Sequence, residues 1–186
     1  DFTGTHFLGS AIFDGTEFRG EGKFDKAIFQ KASFIRCNFS EKSSFAKIKY
    51  VILDFNKASF YADCDFGFMT KLENSEKNSE DIMDVDFTDI FIEKDCRVIF
   101  HMCDLISGAF SPRGGGVLEF VGCPLKNVSF HDADLTNCIF HRIDLSECFF
   151  SGAKLLETRF INCSFREEKS LTCRRIVIFD EFFRRN

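Results

Sequence analysis

The chain has 186 residues, 45% of them hydrophobic, with a net charge of −5 and nine cysteines. That length and apolar share suffice for one domain with a sizeable core and exclude a wholly disordered chain. No stretch approaches the roughly 20 apolar residues of a membrane span, and no basic-then-apolar amino-terminal segment marks a signal peptide, so a cytoplasmic location without a membrane partner is expected.

From the amino terminus, a large apolar residue recurs at Phe2, Phe7, Phe13, Phe18, Phe24, Phe29, Phe34, Phe39, Phe45, Tyr50, Phe55, Phe60 and Phe66, in steps of five with occasional sixes. A helix repeats its apolar face about every 3.6 residues and a strand every second residue, so neither accounts for this spacing. The residue used is equally biased, with 27 Phe against two Tyr and no Trp, as a repeated slot fitting one side chain would demand. Two residues before each large position sits a smaller one, for example Thr5, Ala11, Ala27, Ala32, Cys37, Cys64, Cys103, Cys123, Ala133, Cys138, Cys148 and Cys163. Seven of the nine cysteines keep to this slot, which points to small buried side chains and not to reactive thiols. The extra residues between Phe2 and Phe29 predict slightly looser corners there.

After Phe66 the register fails, and residues 67–86 read as an acidic loop between a first repeat block, 1–66, and a second, 87–165. Between residues 63 and 95 eleven acidic residues face three lysines, so the acidity of the chain is local. Loops interrupting a rigid scaffold are common contact sites, which makes Glu73, Glu76, Glu80, Asp81 and Asp84 candidates for a partner-binding loop. The period is plain again at Phe100, Leu105 and Phe110, then "SPRGGG", residues 111–116, puts Gly115 where a large residue was due. Pro and three Gly predict a turn or small bulge, and Arg113 within it joins the candidate partner-binding residues. From Phe120 to Phe165 the five-residue step does not slip. In the final segment, 166–186, Ile176, Phe179 and Phe183 lie at helical spacing and predict a short carboxy-terminal helix. Ile176, Phe179, Phe182 and Phe183 are candidates for an end cap or a homodimer interface, since an open stack of strands must be covered.

"DADLT", "CIFHR", "IDLSE", "AKLLE" and "CSFRE" carry a Phe or Leu, mostly with a small residue two places before it and polar residues around it. This pattern resembles the pentapeptide-repeat family over about residues 1–66 and 98–165. The resemblance implies an all-β solenoid, a right-handed quadrilateral parallel β-helix in which four pentapeptides make one coil. Like residues one coil apart should then stack at about 4.8 Å. Phe110, Phe130 and Phe150 would form one ladder, Phe120, Phe140 and Phe160 another, and Leu105, Leu125 and Leu145 a third ending at Phe165. Asp134 and Asp144, in this pattern, are expected to make turn-like contacts with the backbone.

No catalytic constellation is visible. His6, His101, His131 and His141 each flank a large position and should face outward, the cysteines show no zinc-finger spacing, and "SPRGGG" lacks the Lys-Ser/Thr of a phosphate loop. No enzyme activity, cofactor or metal is expected, and basic residues form no aromatic-interleaved patch for nucleic acid. Three functions remain open: a scaffold or protein-interaction module cut from a larger protein; a regulator or protector of DNA gyrase that mimics DNA, as the resemblance allows; and a targeting or spacer domain of a larger enzyme. Charge disfavours the second, because residues outside the acidic stretch sum to +3 whereas a DNA mimic needs negative charge along its length.

Overall fold

The computed structural model describes residues 1–72 and 83–165, together with the backbone of Val177–Phe179. Among these residues there is no helix, and the strands form two parallel sheets of ten and eight strands. Successive strands pair a full circuit apart, such as His6–Ile12 with Ile28–Ser33 and that strand with Lys49–Asp54. The chain is therefore an all-β parallel solenoid of pentapeptide coils.

Two features of the five-residue unit produce the coil. The large residue points inward, and two residues later the backbone enters the left-handed region, as at Lys26 (φ 60), Arg36 (φ 56), Lys47 (φ 60) and Lys57 (φ 59). One residue further on, the amide closes the corner onto the large residue's carbonyl: Ala27 donates to Phe24 at 3.0 Å, Cys37 to Phe34 at 3.1 Å and Ala58 to Phe55 at 2.9 Å. A left-handed non-glycine residue costs on the order of 1 kcal/mol, so these corners persist because packing and the ladder hold them.

The interior is built from aromatic ladders. Phe2, Phe24, Phe45, Phe66, Phe100, Phe120, Phe140 and Phe160 stack with centroids 4.6–5.3 Å apart, marking seven turns. Facing them, Phe13, Phe34, Phe55, Phe87, Phe110, Phe130 and Phe150 stack at 4.6–5.8 Å. The two ladders meet edge to face across the shaft, for example Phe24 with Phe34 at 5.3 Å and 87° and Phe45 with Phe55 at 5.2 Å and 85°. A ring is long enough to reach the shaft centre and offers both geometries that aromatic quadrupoles favour, which explains the excess of Phe.

The expected ladders through Phe110 and Phe120 are present, and Leu105 lies in register with Leu125. The extra residue of the first coil appears as a register shift between Phe7 and Ser10 against the second. Through the acidic region the ladder continues where the period is lost from view: Phe87 stacks between Phe55 and Phe110, and Ile92 lies over Phe60.

Three expectations need correction. Thr70–Lys71 pairs with Lys49–Tyr50 and Val85–Asp86 with Leu53–Asp54, so the coil keeps residues on both flanks of the 67–86 segment. Ser111, Pro112, Arg113 and Gly114 do not turn but end the long strand Leu105–Gly114, with Pro112–Gly114 paired with Ile90–Ile92; the bulge alternative is met in part, by a register shift between Phe87 and Ile90 opposite Phe110 and Pro112. The carboxy-terminal helix is replaced, at Val177–Phe179, by a strand in register with Arg159–Ile161. Val-Ile-Phe is a strong strand sequence, and the unpaired edge below it supplies the partner that a helical reading of the spacing ignored. Phe179 therefore sits in a strand, whereas Ile176, Phe182 and Phe183 lie outside the described residues.

Candidate binding surface

Inward-pointing groups are committed to packing. Cys37, Cys64, Cys103, Cys123, Cys138 and Cys148 are buried. Several slot residues also donate to a carbonyl one coil below: Cys37 to Phe13 at 3.0 Å, Cys123 to Phe100 at 3.3 Å, Cys163 to Phe140 at 3.3 Å, and the Thr158 hydroxyl to Leu135 at 2.8 Å. At Phe13 and Leu135 the same carbonyl also accepts the turn amide, from Thr16 and Cys138, so a small donor fills its second lone pair. Burial pushes the Cys37 thiol up to about 11 and the Cys138 thiol up to about 12, which removes thiolate character.

Acidic side chains beside the large residues brace the backbone. Asp134 Oδ1 accepts from the Thr136 amide at 3.2 Å and hydroxyl at 2.6 Å, and Asp144 Oδ1 from the Ser146 amide at 2.9 Å. These bonds hold both carboxyls below the usual range, through the Thr136 hydroxyl first for Asp134 and the Ser146 N–H first for Asp144. Asp54 and Asp86 repeat the contact with the amides of Asn56 and Thr88, at 2.9 and 2.8 Å. The expected turn role of these residues is met.

Of the candidate loop residues, Glu73, Glu76, Glu80 and Asp81 lie outside the described residues. Asp84 is nearly buried and forms an ion pair with Lys71, while its carbonyl accepts from the Leu53 amide at 2.8 Å. Burial raises the Asp84 carboxyl and Lys71 offsets the rise, so the pair ties together the two chain segments flanking 73–82. Arg113 is on the outer wall, where its Nε donates to the Asp89 carbonyl at 2.9 Å. The structure does not bring Arg113 to Asp84.

Two concavities adjoin on the wall that carries "SPRGGG". Gly114 takes the rung above Ile92, with φ +114, and a Cβ there would lie 2.2 Å from the Ile92 carbonyl oxygen. A Cβ at Gly116 would lie 2.4 Å from the Glu93 carbonyl oxygen. Gly114 and Gly116 let the backbone settle onto the coil below, and Gly115, with open space beside it, leaves the rung without a large side chain. Above it is a cleft of about 250 Å³ lined by residues 112–116, Asp134, Thr136, Asn137 and Cys138. A shallower groove of about 620 Å³ shares Gly115 and Asn137 and adds Lys94, Asp95, Val117, Glu157 and Arg159. The only signal of this site in the sequence was Gly115 at a large position. Also not anticipated is an exposed Phe68 with φ 57, whose ring lies 5.0 Å from that of His101 beside exposed Met102.

Among the described residues no three His, Cys, Asp or Glu side chains are grouped to hold a metal ion. His131 pairs with Asp132 at 3.1 Å on the surface.

Comparison with known families bears on the identity of the repeat. A model of nine pentapeptide repeats matches residues 2–48, and a second pentapeptide-repeat model, of eight copies, matches residues 119–152. The chain is a pentapeptide-repeat protein. These matches fall on coils whose large residues form the stacked ladders. Among solved structures, this pentapeptide-repeat protein is similar to HetL, a pentapeptide repeat protein involved in heterocyst differentiation regulation in the cyanobacterium Nostoc sp.. The identity is 11%, with 82% of this chain and 88% of that chain covered and a TM-score of 0.24. No curated protein matches the sequence.

Proposed function

We propose that the chain is a non-catalytic scaffold that holds protein partners on the outer walls of its solenoid. What carries this reading is the use of the interior: the large and small repeat positions are consumed by packing, and burial raises the Tyr50 phenol and the Cys37, Cys64 and Cys138 thiols held there. Chemistry is left to outward side chains, which the ladder spaces at about 4.8 Å along rigid walls suited to recognition. The DNA-mimic alternative is not favoured, because Lys26 and Lys47 occupy equivalent corners of successive coils, as do Arg36 and Lys57. Of the carboxy-terminal candidates, Phe179 lies in a strand that extends the ladder of its own chain, which suits an end cap. A cytoplasmic setting suits the free buried thiols.

The test is retention of proteins from an extract of the source cells by the folded chain and by a core-broken Phe34→Asp variant. A partner held in stoichiometric amount by the folded chain alone, and released by charge reversals on one wall that leave thermal unfolding unchanged, is the expected result. A chain that retains nothing specific, or that turns over a substrate at a wall residue, would overturn the reading.

A further inference from the structure

We propose that the glycine cleft and its adjoining groove form a binding site for an extended peptide segment of a partner protein. This inference rests on the scaffold reading and assigns it a place and a ligand class.

The first observation is an opening in the backbone ladder. Between the fifth and sixth coils, Leu105–Ala109 pairs with Leu125–Ser129, and pairing resumes at Glu119–Val121 with Ile139–His141. No strand pair joins 110–118 to 130–138. Both lips are nevertheless held from outside: Pro112, Arg113 and Gly114 pair downward with Ile90, Phe91 and Ile92, while Leu135 and Asn137 donate upward to the carbonyls of Lys154 and Leu156, at 2.9 and 3.1 Å. The cleft is thus a gap in the ladder at which Gly114 and Gly115 are exposed, so a ligand chain crossing the coils can hydrogen-bond their peptide groups.

The second observation is the shape and charge of the surface. The groove crosses four coils, from Lys94 and Asp95 past Gly115 and Asn137 to Glu157 and Arg159, or roughly 14 Å at the ladder spacing. An extended peptide covers that length with about four residues. Across both concavities Lys94, Arg113 and Arg159 are matched by Asp95, Asp134 and Glu157. A balanced wall gives a polyanion such as nucleic acid no net attraction, whereas it suits a neutral backbone with mixed side chains. Gly114 and Gly115 bring no side chains, so a ligand can approach their peptide groups closely, and one ligand side chain can enter the 250 Å³ cleft beside Thr136.

The experiment selects displayed linear octapeptides on the immobilised full chain and measures an enriched synthetic peptide by calorimetry. Thr136→Trp, which fills the cleft, is expected to weaken binding about tenfold or more. Asn137→Gly keeps a residue suited to the left-handed corner at φ 64 while removing the amide, and is expected to weaken binding about threefold. Phe68→Ala, outside both linings, should bind as the wild type does, and thermal unfolding reports whether each variant is folded. Amide shifts on titration should concentrate at Gly114, Gly115, Gly116 and Asn137. If no octapeptide is enriched, if Thr136→Trp and Asn137→Gly both bind like the wild type, or if the shifts fall on another wall, the site is wrong. Partner retention by the folded chain then decides separately whether the scaffold reading survives.

Discussion

At the scale of single residues, the same side-chain types have opposite electrostatic effects depending on where the coil puts them. Asp134 and Asp144 accept hydrogen bonds at the surface, and their depressed folded-state pKa values mean that each contributes stability above the unfolded carboxylate pKa. That contribution is lost as pH falls through the folded values. The gap in urea stability between the wild type and Asp134→Asn is therefore expected to be present near pH 7 and to shrink as pH drops below about 4. A gap independent of pH would mean that the carboxylate charge is irrelevant to the turn. Asp54 works in the other direction, because burial raises its carboxyl first and the neighbouring Asp86 adds to the rise. Among the glycines, Gly114 and Gly115 separate strain from collision. Both have positive φ, but an added Cβ meets the Ile92 carbonyl at Gly114 and nothing within 4 Å at Gly115. Gly114→Ala should accordingly cost roughly 2 kcal/mol more than Gly115→Ala in denaturant unfolding.

At the scale of the coil, stability follows position in the stack. Phe34 has rings stacked on both sides, Phe13 at 4.8 Å and Phe55 at 4.6 Å, and is fully buried. Phe2 has a stacked ring on one side only, Phe24 at 5.1 Å, and is partly exposed. Truncation leaves a cavity in the first case and a solvent-filled notch in the second. Phe34→Ala is expected to cost about 3–5 kcal/mol and Phe2→Ala less than half as much, measured by urea unfolding. Equal costs would show that the end of the stack is as tightly enclosed as its middle.

At the scale of the whole molecule, a solenoid tolerates insertions because each coil needs only its neighbours. The segment 73–82 departs and returns between residues that the Lys71–Asp84 pair already joins, with Leu72 donating to the Tyr50 carbonyl at 2.6 Å. Replacing 73–82 by a short glycine link should leave thermal unfolding nearly unchanged, within about 1 kcal/mol, since loop length enters closure entropy only logarithmically. Loss of folding would assign the segment a structural role. Lys71→Met should instead destabilise by about 1–2 kcal/mol at neutral pH, because the nearly buried Asp84 carboxylate loses its partner. Burial holds the folded Asp84 pKa above its unfolded value, so this penalty eases as the carboxyl becomes protonated in acid.

The five-residue period determined the inward positions, the small slot with its cysteines, the aspartates of the corners and the ladders from Phe100 to Phe160. Each of these follows from local spacing, which every coil repeats and which an interior of fixed width enforces. Tertiary structure alone decided how the register crosses the acidic segment. Phe87 and Ile92 belong to ladders with Phe55 and Phe60, but the intervening residues remove the count that would have revealed it. It also decided that Pro112 and Gly114 continue a strand, because the coil below supplies the edge they pair with. For the same reason Val177–Phe179 is extended: its conformation answers to Arg159–Ile161, far away in sequence. The cleft is the clearest case, since a glycine at a large position announces a missing side chain, whereas the gap requires two coils held apart by their outer neighbours.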